Sequence, residues 1–558
     1  MHGVSEDEAA LEVKDALSAG GTKWIDPWMG TTSVELGDVL YHHCGSFPLG
    51  ACPPELVISP RISDGAVLDC SSPCTFPSGT LFSPICQGRL CDLWFLNGLA
   101  ALCATENGRE CLKSLVVSES LSHGIYTVKF WKQDKWVYIN IDDRIPCDMS
   151  GSPLYSRCQD PNQVWVMVLE KAYAKLHGSY LNIENGLIED ALIELTGGIC
   201  YRGPMPNQWT YLLERISPVD SMSTSSGHVV GVMANKKSSS IASARVFGVA
   251  GIVEHQNKQL VKLQDMWQMS RWDGDWCTSS PNWTTYPEIK EIVNSYDTWT
   301  PDTLYMTLEE FSHNFSTIFD CSLCSGSTIS FQGQFKLDSQ NCGSGGSAND
   351  EMKWLTNPML AFSLEDTADI AVEFSQNYDP RTSDYYLVEE HRGFQYKAMD
   401  DEECSTVFDK HGVGLHLCRL GSFHSGKHRI QRHHRIMASA GYRNVNKIGC
   451  HAKLIKGDYV IVPSTFCESL YGLFSLKVCF SGATPVFLLD PSKSVTEQLD
   501  ALPSVEDSDD EDEAANLEPY PKYQSDPDPN AVDDVFSREY LEKVALQRMM
   551  ALKIKMSS

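Results

Sequence analysis

The chain has 558 residues and a formal net charge of −28, with 45 Lys and Arg against 73 Asp and Glu. That length exceeds one compact core and predicts roughly three or four units. The acidic balance excludes general nucleic-acid affinity, because phosphate is repelled.

Hydrophobic residues make up 42% of the chain and aromatics 10%, so real cores are expected. No uninterrupted apolar run is long enough to span a bilayer. The opening MHGVSEDEAALEVKDAL is acidic and mixed, without the basic start and apolar centre of a signal peptide. A cytoplasmic chain is therefore expected. In that compartment the 20 cysteines read as thiols rather than disulfides. Cys70 and Cys74 form one local pair, and Cys321 and Cys324 another. A zinc site needs two well-spaced pairs brought together, and Cys321-Ser-Leu-Cys324 has no evident partner pair. No metal or other cofactor is expected.

Residues 1–60 form a weakly patterned lead-in, with Trp24 and Trp28 as candidate anchors. Residues 61–204 are α-rich. GRLCDLWFLNGLAALCA reads as a helix that is apolar on most faces and so buried. QVWVMVLEKAYAKLHG reads as a second, with Val164, Val168, Ala172 and Leu176 on one stripe. Between them GIYTVKFW and WVYINIDDRIP alternate apolar and polar residues, as strands do. Over 205–324 strands dominate: HVVGVMA, ARVFGVAGIVEH and KQLVKLQDMW are β-branched and broken by Gly, Asn and Gln. Over 325–490 short strands recur at regular spacing (MLAFSLE, DIAVEF, YYLVE, YVIVPSTF, FSLKVCF, PVFLLD), which predicts a β-sandwich. Residues 491–533 hold the acid run SVEDSDDEDE and a proline-rich stretch, which cannot bury enough apolar surface to order itself. Residues 534–558 read as one amphipathic helix with Leu541, Ala545, Met549 and Leu552 on a stripe. It is marginal alone, so it docks either on this chain or on a partner.

Several motifs resemble those of calpains. QGRLCDLWFL at 87–96 stands where that family reads Gln-Gly-x-Leu-Gly-Asp-Cys-Trp-Phe-Leu. LEKAYAK at 169–175 and Thr196-Gly197-Gly198 match two further family motifs. Gly227-His228 matches the Gly-His of the catalytic histidine. LQDMW at 263–267 falls where the family has Leu-Arg-Asn-Pro-Trp. Asn357-Pro358 and GDYVIVPSTF at 457–466 match the C2-like sandwich. The matches run in the family's order over roughly 80–490, a far more specific signal than one motif. The resemblance implies an α+β chain: a two-lobed papain-like core of the calpain kind, then a C2-like antiparallel β-sandwich and a C-terminal helix.

A cysteine protease needs a thiolate, a histidine to hold its proton and a group to orient that histidine. By the resemblance the nucleophile position is Leu93, which cannot attack a carbonyl. His228 takes the base position and Asp265 replaces the orienting asparagine. Gln87 resembles the oxyanion-hole donor, and Trp267 the ring that shields the third member. Cys91 is the alternative nucleophile, two residues early and rotated by about 200° if the segment is helical. Its bland reading is a small packed residue, and that of His228 is a histidine kept by packing.

Calpain cores bind calcium through carboxylates and backbone oxygens. The corresponding positions fall here at Pro84, Leu181, Arg271, Thr278, Asp302 and Leu304, of which only Asp302 is acidic, so calcium is not expected to organise the core. DSDDEDEAANLE at 507–518 mimics an EF-hand loop but has Asp512 where the turn needs glycine. It reads as coincidence within an acid run.

The segment 419–435 is basic, with Arg419, Lys427, Arg429, Arg432 and Arg435. It is either a contact for an acidic protein surface or a solvated loop. The leading expectation is a non-proteolytic structural or adaptor protein with protein partners. By analogy with degenerate calpain-like chains of protists, those partners are cytoskeletal, in a microtubule or flagellar assembly such as a cilium or axoneme. The alternatives are a calcium-independent peptidase using Cys91, and a regulator of a true calpain.

Overall fold

A computed structural model describes residues 3–18, 23–29, 57–78, 82–205, 209–216, 218, 227–235, 240–296, 302–324, 326–335, 345–347, 354, 357–376, 386–390, 393–397, 412–419, 435–467 and 472–487. The acidic linker, the C-terminal helix and Lys427, Arg429 and Arg432 lie outside the described residues. Those described fall into two compact units. One comprises the chain up to Gly198 with Gly203–Leu323, and the other Ile199–Arg202 with the chain from Cys324 on.

The first unit opens with α1 (Glu6–Ser18), then α2 (Leu93–Leu102) and α3 (Glu106–Leu115). Strands β1 (Val116–Ser120), β2 (Ile125–Lys132) and β3 (Lys135–Asp142) form an antiparallel sheet, followed by α4 (Trp165–His177) and α5 (Ile188–Thr196). Trp94 to Leu102 are all buried along α2, which is why its sequence is apolar on every face. Close approach on two sides fixes this helix. A Cβ on Gly98 would stand 2.9 Å from the Cβ of Ala191 in α5, tighter than packed carbons allow.

The conserved-looking charges of the LEKAYAK segment face inward. Lys171 is fully buried, and its ammonium donates to the Asp142 carboxylate (2.5 Å), the Asp142 carbonyl (2.8 Å) and the Arg144 carbonyl (2.7 Å). Lys175 donates to both oxygens of Asp26 (2.8 and 2.9 Å) and to the Asn140 carbonyl. All three ammonium hydrogens are thus used at each lysine, which is the condition for burying a charge.

Asp26 belongs to the lead-in, which is more firmly built in than its weak pattern suggests. Val4 and Tyr138 exchange backbone hydrogen bonds of 3.0 and 2.9 Å, and the Asn140 amide donates to the Ala9 carbonyl. The expected anchors behave as such: the Trp28 indole donates to the Gly178 carbonyl (3.0 Å), and the Trp24 N–H to that of His123 (2.8 Å).

The second half of this unit is mainly β. Strands β4 (His228–Ala234), β5 (Val246–His255), β6 (Lys258–Gln264) and β7 (Thr303–Thr307) precede β8 (Phe315–Ser322), with helices α6 (Pro287–Tyr296) and α7 (Leu308–Asn314) between. The antiparallel order is β7-β6-β5-β4-β8. The β5–β6 hairpin turns at Gln256 and Asn257, both at positive φ (45° and 65°), as a tight two-residue turn requires. On the second face of the sheet Trp276, Trp283, Ile289 and Val293 pack on Val253, Leu260 and Tyr305.

The second unit is an antiparallel sandwich. One sheet runs β9 (Ser327–Phe335), then β16 (Gly472–Gly482), β11 (Ala368–Gln376) and β14 (Lys447–Leu454). The other runs β13 (Arg435–Ser439), β12 (Gly412–Arg419), β15 (Gly457–Thr465) and β10 (Leu360–Leu364). Strand β15 carries the GDYVIVPSTF motif, buried from Asp458 to Thr465.

Candidate functional site

The site forms where the start of α2, the start of β5 and the segment after β6 converge. Leu93 is the first residue of α2 and is partly exposed. Asn97 follows it by four residues and so lies on the same helix face. The Asn97 side chain accepts from Val246 N–H (2.9 Å) and donates to the Ala244 carbonyl (3.3 Å). It thereby clamps the backbone on both sides of Arg245.

Arg245 holds the centre. One of its Nη groups donates to the Oε1 of Gln87 (3.0 Å), and its guanidinium stacks 4.7 Å from the Trp267 ring centre. Trp267 is fixed in turn by its indole N–H, which donates to the Val246 carbonyl (3.1 Å). The Gln87 amide donates to the Leu90 carbonyl (3.1 Å). Burial alone pulls the Arg245 pKa down, and no carboxylate offsets it.

Gln87, Trp267 and the Leu93 helix face therefore come together, as expected. His228 does not join them. It starts β4 and is level with the far end of β5: Val246 pairs with Met233 and Gly248 with Gly231, which extends to His228 opposite Gly251. Six residues of strand separate that level from Arg245, roughly 20 Å. The His228 ring bonds Asp320 instead, with Nδ1 2.8 Å from Oδ1. Asp320 is fully buried and also receives the Tyr211 hydroxyl (2.9 Å) and the Arg215 Nε (2.8 Å). The expectation of His228 at the base position is thus corrected to Arg245. The error came from a two-residue match on the wrong strand.

Asp265 lies beside Trp267, yet its carboxylate is occupied by backbone. It accepts from the N–H of Trp267 (2.9 Å) and of Ser270 (3.2 Å), closing the turn after β6. The expected bond to the His228 ring is not made. Cys91 is exposed, two residues before the helix starts. Arg245 was missed, although reflecting Asp265 across the Gln256-Asn257 turn lands level with Phe247, two residues from it.

The calcium positions suit no cation. Asp302 is the single acid, and it takes a hydrogen bond from Gln268. Arg271 places a positive charge, and Pro84, Leu181 and Leu304 offer no side-chain oxygen. In the sandwich, Arg419 ends β12, with its guanidinium 3.5 Å from the Lys456 carbonyl, and Arg435 begins β13.

Comparison with known proteins gives two consecutive matches. Residues 68–322 match the model of the calpain family cysteine protease, and residues 332–479 that of calpain large subunit domain III. The calpain-type cysteine protease ADL1 of Oryza sativa subsp. japonica is 30% identical over 426 residues, which is 73% of this chain and 19% of that protein. DEK1 of Zea mays, also named a calpain-type cysteine protease, is 30% identical over 74% of this chain and 19% of its own length. The calpain-2 catalytic subunit of Gallus gallus is 26% identical over 73% of this chain and 60% of its own length. The chain thus spans about a fifth of the plant relatives and 60% of the chicken one.

Proposed function

This chain belongs to the calpain family, and we propose that it uses the protease fold to hold a polypeptide without cutting it. The observation that supports this reading is the pair Leu93 and Arg245. Peptide hydrolysis by this fold needs a thiol at the helix start and an imidazole across from it. Here the helix starts on an aliphatic side chain. The group between Gln87 and Trp267 is a guanidinium, which cannot accept a proton near neutral pH. No helix among the described residues is long and apolar enough to cross a membrane. The proposed role is that of an adaptor with protein partners, calcium-independent and bound to a cytoskeletal assembly, microtubule or axoneme. The basic segment 419–435 of an otherwise acidic chain suits an acidic filament surface.

Two experiments test this. An epoxysuccinyl thiol probe should leave the native protein unlabelled at Cys91. Labelling there that is lost in an Arg245 or Gln87 variant overturns the non-hydrolytic reading. Detergent extraction of native cells followed by cross-linking mass spectrometry should find the protein in the insoluble cytoskeletal fraction, cross-linked to a filament protein. Release into the soluble fraction, cross-linked to an active peptidase, would replace the adaptor with a regulator of that enzyme.

A further inference from the structure

Beside the degenerate site lies a cavity of about 350 Å³. One wall is the segment 240–245 and the other the turn after Trp267. The Arg271 N–H, donating to the Ser240 carbonyl (2.8 Å), ties the two together. Arg245 and Arg271 both line it, with Ser240, Ser243 and Met269. The volume is at the lower end of ligand pockets and too small for a helix.

Its charge has no internal answer. Neither arginine forms an ion pair with a carboxylate of the described residues. Arg245 gives one N–H to Gln87 and its face to Trp267, while its Nε is buried without an acceptor. A guanidinium offers five donors in a rigid fork, so most of this one's capacity is unspent. Holding it half-buried with no counter-charge is costly unless an anion completes the site. The surrounding chain is acidic by 28 charges, which would readily have supplied a structural partner.

We propose that this cavity is a carboxylate-binding pocket, taking an aspartate or glutamate side chain of an acidic peptide segment between Arg245 and Arg271. The bidentate match between guanidinium and carboxylate selects such a group over a neutral amide of the same shape. The hydroxyls of Ser240 and Ser243 offer further donors at the rim. The pocket deepens the reading of a cleft that holds peptide without cutting it, and rests on that reading. The acidic segment comes either from a partner or from the chain's own residues 504–513.

The test is fluorescence anisotropy on the full chain, with a labelled SVEDSDDEDE peptide and its amide counterpart SVQNSNNQNQ. The acidic peptide should bind, and the amide peptide more weakly by roughly tenfold or more. Arg245→Gln and Arg271→Gln should each weaken the acidic peptide by roughly ten- to hundredfold. Arg245→Lys should not restore it, because an ammonium lacks the fork. Arg271 is exposed with its side chain uninvolved in the fold, so its variant carries the test if Arg245→Gln disturbs Trp267. Equal affinity for the two peptides, or unchanged binding in both folded glutamine variants, overturns the pocket. Mass spectrometry of the recovered peptide separates the two readings. A cleaved peptide sinks the non-hydrolytic function, whereas an intact but unbound peptide sinks the pocket alone. Tighter binding after the acids of 504–513 are replaced by their amides identifies that segment as the resident ligand, and unchanged binding identifies a partner.

Discussion

Replacing Asp92 by asparagine should stabilise the protein above neutral pH and flatten its dependence on pH below it. Asp92 precedes α2 and is fully buried, without making a capping bond. Its ionisable neighbour Glu170 is also buried and accepts from the Ser156 N–H (3.1 Å). Burial, and then each other's charge in the case of Asp92, raise both carboxyls: Asp92 well above its usual range, and Glu170 from 4.5 to about 7. A raised carboxyl pKa means that the folded state keeps a proton the unfolded state has lost. Stability is then fully present below about pH 4.5 and falls as pH rises through about 7. At about 1.4 kcal/mol per pH unit, the Glu170 shift alone is worth about 3 kcal/mol across that window. Asparagine can donate to Glu170 with no proton to lose, so one of the two titrations vanishes. Denaturant unfolding followed by tryptophan fluorescence, at about pH 5, 6, 7 and 8, should show the variant gaining on the wild type by about 1–3 kcal/mol as pH rises. A difference that stays constant across this range would refute the reasoning.

Four further outcomes follow from the same geometry. Leu93→Cys alone should yield no peptide hydrolysis, since Arg245 is no base, whereas Leu93→Cys with Arg245→His should regain some. A fluorogenic peptide assay in which the single variant is active would remove the role given to Arg245. Lys171→Ala leaves the buried Asp142 with Arg144 as its one remaining side-chain cation and should cost about 3 kcal/mol or more in denaturant unfolding. Gly248→Ala should cost about 1–3 kcal/mol, because its Cβ would stand 2.3 Å from the Ala104 Cβ and 2.9 Å from the Ala101 carbonyl, against α2. Titration calorimetry of the full chain with calcium should show no tight binding, and a micromolar site with unperturbed 504–518 would contradict the fit drawn from Asp302.

The parts of the fold that read correctly are those whose pattern reports burial directly. The alternation of GIYTVKFW and WVYINID gave two strands that pair from Ile125↔Asp142 to Lys132↔Lys135. The all-round apolarity of α2 reflects a helix buried on every side. Helix α1 escaped notice because it buries only Ala9 and Ala16 and is held mainly by polar and backbone bonds, which leave no hydrophobic period. Lys171 and Lys175 were legible as a motif, but their charges gave no hint that they point into a network with Asp142 and Asp26. The site divides in the same way. Gln87 and Trp267 sit within long motifs and were placed correctly, while His228 rested on a dipeptide in a strand rich in repeated Gly and Val. Hairpin register discriminates where the motif does not: a strand that pairs with β6 must present its first residues to Asp265, and β5 does so with Arg245. Had a histidine stood at 245, Leu93 would have been the single lesion. With arginine there, both reagents are gone. The cationic group between Gln87 and Trp267 instead gives the cleft a preference for acidic ligands, which neither missing reagent alone would confer.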